Sequence, residues 1–215
     1  MPGIGNDVVA LRAIDVDRTK KYRFYSKIIV DSEKLIYDEQ LSSAISFEKF
    51  VWLAWSVKES AFKCLQRYRH DLVFSPSNTL ISEVHLPEYA ASTTTEGLGF
   101  DEARVYRTLL TYQGHQLYSR TMLSSDFIFT VVNDTNDFSN TWWKVKKIGS
   151  SDPEDQSLEV RHLLLHKLHE LYPAAQFFIE KSLFGFPVLF RDGREADFPV
   201  SFSHHDHFVG CAFAC

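Results

Sequence analysis

Residues 55–63 read Trp-Ser-Val-Lys-Glu-Ser-Ala-Phe-Lys. On a helix, Glu59 and Lys63 then share one face, one turn apart. An acid and a base at that spacing can work as a unit, the carboxylate holding a hard cation while the ammonium meets an anionic group that the cation also touches. The same spacing decorates many solvated helices, where it contributes only about 0.3–0.5 kcal/mol, so the pair points to chemistry only in company. Part of that company is Asp7, inside the apolar run Ile4–Leu11, where a carboxylate costs several kcal/mol unless it is paired or bound to a cation. The rest is the segment Phe198-Pro199-Val200-Ser201-Phe202-Ser203-His204-His205, rich in hydroxyl and imidazole groups.

Three segments in this order resemble the 4′-phosphopantetheinyl transferase superfamily: Gly5/Asp7 as a Gly-x-Asp strand, Trp55/Lys58/Glu59/Lys63 as a Trp-x-x-Lys-Glu-x-x-x-Lys helix, and Ser201/Ser203/His204 as a Ser-x-Ser-His segment. The resemblance implies an α+β fold of two similar halves, each a small antiparallel sheet packed with helices, forming a pseudo-dimer. The halves would be 1–135, with the metal and Lys-Glu motifs, and 140–215, with the Ser-His segment, and the active site would lie in the cleft between them. It implies an enzyme that moves 4′-phosphopantetheine from coenzyme A to a serine of an apo acyl or peptidyl carrier protein and releases 3′,5′-ADP. Asp7, Glu59 and Lys63 would be the catalytic residues, with Asp7 and Glu59 holding Mg2+. Lys58, Ser203, His204 and Pro187 would bind coenzyme A, the co-substrate. Either Glu59 or a metal-bound water would take the serine proton.

Three positions depart from that pattern: Val9 stands where many relatives have a second acid, Phe186 interrupts a Gly-Arg/Lys-Pro loop, and His205 follows the motif histidine. They leave two rivals, a non-catalytic member that binds coenzyme A or a carrier, and a metal-dependent phosphoester hydrolase using Asp7, Glu59 and the histidines.

The 215 residues, 45% of them hydrophobic, suffice for a sizeable core, and no apolar run approaches the roughly 20 residues that span a bilayer. With no signal-peptide order at the N-terminus and three scattered cysteines (Cys64, Cys211, Cys215), the chain reads as cytoplasmic with no membrane partner, and the pseudo-dimer that the resemblance implies would be a monomer. A net charge of −5 argues against nucleic acid. Arg12, Arg18, Lys20, Lys21, Arg23 and Lys27 nevertheless crowd together, either as a docking patch for an acidic protein or as a solvated surface that Asp15 and Asp17 interrupt.

Periodicity predicts a strand at Ile4–Leu11, a helix near Ser32–Gln40 and a long helix from Ser46, its N-cap, to about Arg69. Strands follow at Leu80–Leu86, Ala103–Thr111, His115–Met122 and Asp126–Val132, with a hairpin at Tyr112-Gln113-Gly114 and a polar loop at Ser92–Gly99. After a join at Asp134–Thr141 come a strand (Trp142–Ile148), an acidic loop (Ser150–Gln156), a helix (Leu158–Leu171) and strands to the end. Residues 126–132 resemble 207–213, a weak internal repeat. His204–His207 and the His162/His166/His169 face have zinc-ligand types, but the first lies where side chains alternate direction and the second reads as a solvated face opposite Leu164, Leu168 and Leu171.

Overall fold

The computed structural model describes residues 3–89 and 94–214. Strand β1 (Ile4–Ala10) is followed by two short helical turns, α1 (Val16–Thr19) and α2 (Tyr22–Tyr25), then by α3 (Asp31–Ile36), which runs on into a π turn at Tyr37–Leu41. The long helix α4 (Phe47–Gln66) precedes β2 (Thr79–His85), the short β3 (Glu96–Leu98), β4 (Tyr106–Tyr112), β5 (His115–Leu123) and β6 (Phe127–Asn133). Next come β7 (Thr141–Lys147), α5 (Pro153–Leu171), β8 (Phe177–Lys181), β9 (Pro187–Arg191), β10 (Arg194–Glu195), β11 (Val200–His205) and β12 (Phe208–Ala214).

The strands form a five-stranded sheet in the order β1-β6-β5-β4-β2, a four-stranded sheet β11-β12-β7-β3 and a three-stranded sheet β10-β9-β8, all antiparallel. The connectivity repeats. In β1-α4-β5-β6 the last strand pairs with the first, and in β7-α5-β11-β12 it does so again. The resemblance between 126–132 and 207–213 falls on β6 and β12, the strands that occupy that central place.

Several boundaries differ from the sequence expectation for local reasons. Helix α5 starts at Pro153 because Asp152 caps it, accepting from the Glu154 and Asp155 N–H groups at 2.8 and 3.4 Å, so most of the expected acidic loop is its first turn. Ser46 stands at the N-cap of α4, but its hydroxyl donates to Glu48 at 2.5 Å rather than accepting from the backbone. The 92–99 loop lies outside the described residues at 92 and 93, and its end, β3, pairs with β7; the first half thereby adds an edge strand to the second half's sheet. Leu171 is exposed, unlike the buried Leu164 and Leu168. Cys64 and Cys211 are free and buried, and Cys215 lies outside the described residues.

Alternation along β1 sorts its side chains between two neighbours. Ile4, Val8 and Ala10 enter a core with Trp143, Phe208 and Ala212 of the second sheet, whereas Val9 packs with Val57, Ala61 and Cys64 of α4. Asp7 and Gly5 share the parity of Val9 and so face α4. At Gly5 the helix comes so close that an added Cβ would sit 1.9 Å from the Ser60 carbonyl oxygen and 2.6 Å from the Cys64 nitrogen. Both obstructing atoms are backbone, and α4 is wedged against a filled core, so neither side can give way easily. Gly5→Ala is expected to destabilise the chain by about 3 kcal/mol, at the upper end of ordinary overpacking, as measured by urea unfolding. A loss below ~0.5 kcal/mol would mean that the crossing is looser than this contact requires.

Candidate functional site

Where α4 crosses β1, the Lys63 ammonium lies 3.3 Å from Asp7 Oδ1 and 3.1 Å from Glu59 Oε1, and it donates to the Asn6 carbonyl at 3.1 Å. One cation thus holds two carboxylates from different elements. Asp7 is the enclosed one, its side chain 6% exposed, and Glu59 the open one at 26%. Burial lifts the Asp7 pKa from 3.8 to about 7, opposed by Lys63 and reinforced by the Glu59 charge. Burial alone would lower the pKa of Lys63, but Asp7 and then Glu59 outweigh it and hold the ammonium above its ordinary value. Asp7 Oδ2 and the Ser56 hydroxyl are both buried without a hydrogen bond of good geometry. A buried carboxylate oxygen left open in this way is uncommon and costly. Among the described residues no three His, Cys, Asp or Glu side chains gather into a metal-binding cluster.

Strand β11 lies along the outer edge of β1, and side chains, not a backbone ladder, join them. The Asn6 N–H donates to Ser201 Oγ at 2.9 Å, the Asn6 side-chain amide to Ser203 Oγ at 2.7 Å, and the Ala10 N–H to His205 Nδ1 at 2.9 Å. Residues 201, 203 and 205 share one parity, so all three face β1, and Ser201 and His205 satisfy backbone N–H groups that an edge strand leaves unpaired. His205 also stacks on Trp52, with ring centroids 6.4 Å apart, and Trp52 donates to the Thr19 hydroxyl.

This arrangement changes what the motif residues can do. Ser203 is 2% exposed and its oxygen is taken by Asn6, which binds it into the inter-sheet seam rather than leaving it open to a phosphate. His204 alternates to the other side and is exposed; burial of part of the ring lowers its pKa, the nearby Lys63 lowers it further, and Glu59 opposes both. It is therefore a neutral imidazole at pH 7, close enough to feel both charges. The expectation that Lys58 binds coenzyme A is corrected outright. Its ammonium is fully buried on another face of α4, 2.7 Å from Glu33 and 2.7 Å from the Ile28 carbonyl. Glu33 also accepts from the Val30 and Ile81 N–H groups at 2.9 and 2.8 Å, so the pair ties α3 and the β2 edge to α4. Pro187 lies beside Lys63 in the wall of a cavity of about 120 Å³ that Gly185, Phe186 and Arg67 also line. Sequence reasoning missed Asn6 and Arg67 and read His205 only as a departure from the family pattern; Arg67 could have been found as the next residue on the face that carries Glu59 and Lys63.

The sequence pattern of the 4′-phosphopantetheinyl transferase superfamily matches residues 3–116, a little over half of the chain. The matched part contains β1 and α4, with Asp7, Glu59 and Lys63, and stops well before β11. The protein belongs to this superfamily, and membership brings with it an activity of the phosphopantetheinyl-transfer type. Neither the comparison with curated proteins nor that with solved structures gives a match. Among the described residues no helix is long and apolar enough to cross a membrane.

The buried carboxylate sets a pH dependence. Asp7 releases its proton near pH 3.8 when unfolded and near 7 when folded, so between these values the folded state binds more protons. Its favourable contribution is complete below the unfolded value and is lost as pH rises through about 7. Asp7→Asn should therefore melt above wild type by a margin that grows from pH 5 to pH 8, the increase being at least the ~2–4 °C that 1 kcal/mol represents in a chain of this size. A variant that melts below wild type by the same margin at both pH values would show instead that the Lys63 ion pair outweighs the burial.

Proposed function

We propose that this protein transfers the 4′-phosphopantetheine group of coenzyme A to a serine hydroxyl of an apo acyl or peptidyl carrier protein, with magnesium, and releases 3′,5′-ADP. The observation that carries this reading is the crossing of α4 on β1, where Asp7, with a buried and unpartnered oxygen, and the half-open Glu59 converge on the Lys63 ammonium. Two carboxylates, one of them short of a partner, fit a hard divalent cation that takes its remaining oxygens from water and phosphate. Asp7 and Glu59 would hold Mg2+, which would neutralise charge on the pyrophosphate and on the departing bisphosphate.

The chain's own groups do the rest. Lys63, released from one carboxylate, binds a pyrophosphate oxygen, and His204 donates a hydrogen bond to the same ligand from β11. Glu59, the carboxylate open to solvent, accepts the proton of the carrier's serine, whose approach to the enclosed Asp7 is barred. The serine oxygen then bonds to the phosphorus that carries pantetheine, and the bond from that phosphorus to the bridging oxygen breaks, its electron pair leaving with 3′,5′-ADP. The strand, helix, hairpin repeat supports two similar halves, 1–135 and 140–215, meeting as a pseudo-dimer within a single monomer.

The basic run supports the carrier as partner. Arg12 is paired with Asp206 at 3.0 Å and Lys20 with Glu48 at 3.7 Å, while Lys21, Arg23 and Lys27 are exposed on the segment that packs by Thr19 against Trp52. Exposed positive charge beside the site would steer an acidic carrier.

Incubation of apo carrier protein with coenzyme A, Mg2+ and the chain should raise the carrier's mass by one phosphopantetheine group. Glu59→Gln, which keeps size and removes charge, should slow this at least ~100-fold while the fold persists. Coenzyme A bound without transfer by wild type would point to a non-catalytic member, and coenzyme A cleaved without a modified carrier to a hydrolase. In the same assay Lys21→Glu with Arg23→Glu should raise the KM for the carrier and flatten its salt dependence, leaving that for coenzyme A in place. Unchanged carrier kinetics at low ionic strength would make the run a solvated surface only.

A further inference from the structure

Arg67 follows Lys63 by one helical turn, at the end of α4. Its guanidinium lies over the Phe186 ring, 5.2 Å from the centroid, and its Nη2 donates to the Pro187 carbonyl at 3.0 Å and to the Val200 carbonyl. An aromatic face and two carbonyls orient the group but do not cancel its charge. Among the described residues no carboxylate lies within ion-pair distance of it, although its helix neighbours Lys63 and Arg69 both have one. Glu195 acts on it only from farther away, and burial leaves its pKa lowered. A largely buried cation without a counter-charge is costly, and an incoming anion would relieve that cost. Such an anion has a place to enter, because Arg67 and Lys63 line the same cavity of about 120 Å³ beside the loop at Gly185–Pro187.

We propose that Arg67 binds the 3′-phosphate of coenzyme A, held in a fixed plane by Phe186 and by the Pro187 and Val200 carbonyls. The inference rests on the transfer reading above. Coenzyme A carries phosphate in two places, the pyrophosphate and the 3′-monoester. Lys63, beside the two carboxylates, serves the first, so a second cation one turn away, outside the reacting cluster, is left for the other. Guanidinium suits this task, since both Nη2 hydrogens go to the two carbonyls while the Nε and Nη1 N–H groups remain as charge-assisted donors to a terminal phosphate.

The test is calorimetric titration of the full chain with coenzyme A and with 3′-dephospho-coenzyme A. Wild type should prefer coenzyme A by ~10–100-fold, the worth of a charged hydrogen-bonded contact, and Arg67→Gln should erase that preference while changing the affinity for the dephospho form by less than ~2-fold. A preference that survives in Arg67→Gln, or an equal loss for both ligands, overturns the assignment. Wild type alone gives a second reading that needs no variant to fold: adenosine 3′,5′-bisphosphate should raise the melting temperature more than adenosine 5′-monophosphate, and equal shifts would overturn it. Transfer to the carrier by a wild type that shows no such preference would remove Arg67 and leave the transferase reading standing, whereas absence of both transfer and coenzyme A binding would remove both.

Discussion

The site depends on how closely α4 can cross β1. Glycine at position 5 lets the helix backbone approach the strand where any Cβ would collide with Ser60 and Cys64. Only at that approach does a lysine from the helix reach both the carboxylate of Asp7 on the strand and that of Glu59 one turn before it. The Gly-x-Asp pattern thereby has a mechanical meaning: its first residue sets the spacing and its third, by strand parity, points into the gap so formed. The buried oxygen on Asp7 is a local instability held in place by the surrounding core, as groups poised for a ligand often are.

A second constraint is the exposed edge of β1. An edge strand presents unpaired N–H groups, and here those of Asn6 and Ala10 are met by Ser201 and His205, while Ser203 takes the Asn6 side-chain amide, so alternate residues of β11 dock the second sheet. The hydroxyl-rich segment therefore serves the seam first and leaves His204, facing the other way, as its free ring. The other edge of the large sheet is met in a similar manner, with the Ile81 N–H taken by Glu33. Lys58 is drawn into the interior by that carboxylate. A pair so deeply buried adds little net stability while intact, yet removing either member would leave a buried charge unmatched, typically at 3–5 kcal/mol.

Much of this was legible in the chain. Period-3.6 apolar spacing marked α4 and period-2 runs marked most strands, because those signals depend on which face is buried and little else. The resemblance between 126–132 and 207–213 was visible as well, since both strands lie inside their sheets, are buried nearly end to end and are mostly apolar. The start of α5 departs from the sequence expectation, although Asp152-Pro153 is a cap followed by a first-turn proline: the acids after it have the composition of a loop, and the positive end of the helix dipole is what favours them in a first turn.

The sequence by itself determined the elements, their order and the presence of Asp7, Glu59 and Lys63 at spacings suited to cation and phosphate chemistry, since these follow from residue type and local periodicity. Only the tertiary structure decided which of the neighbouring candidates face the site. Lys58 and Lys63 differ by five positions, which on a helix turns one into the core and the other toward β1. Ser203 and His204 differ by one, which on a strand sends them to opposite sides. Motif matching treats such neighbours alike. The fold separates them, because what a side chain meets is set by partners far away in sequence: Glu33 for Lys58, Asn6 for Ser203, and for Arg67 an aromatic ring and two carbonyls that leave its charge uncancelled.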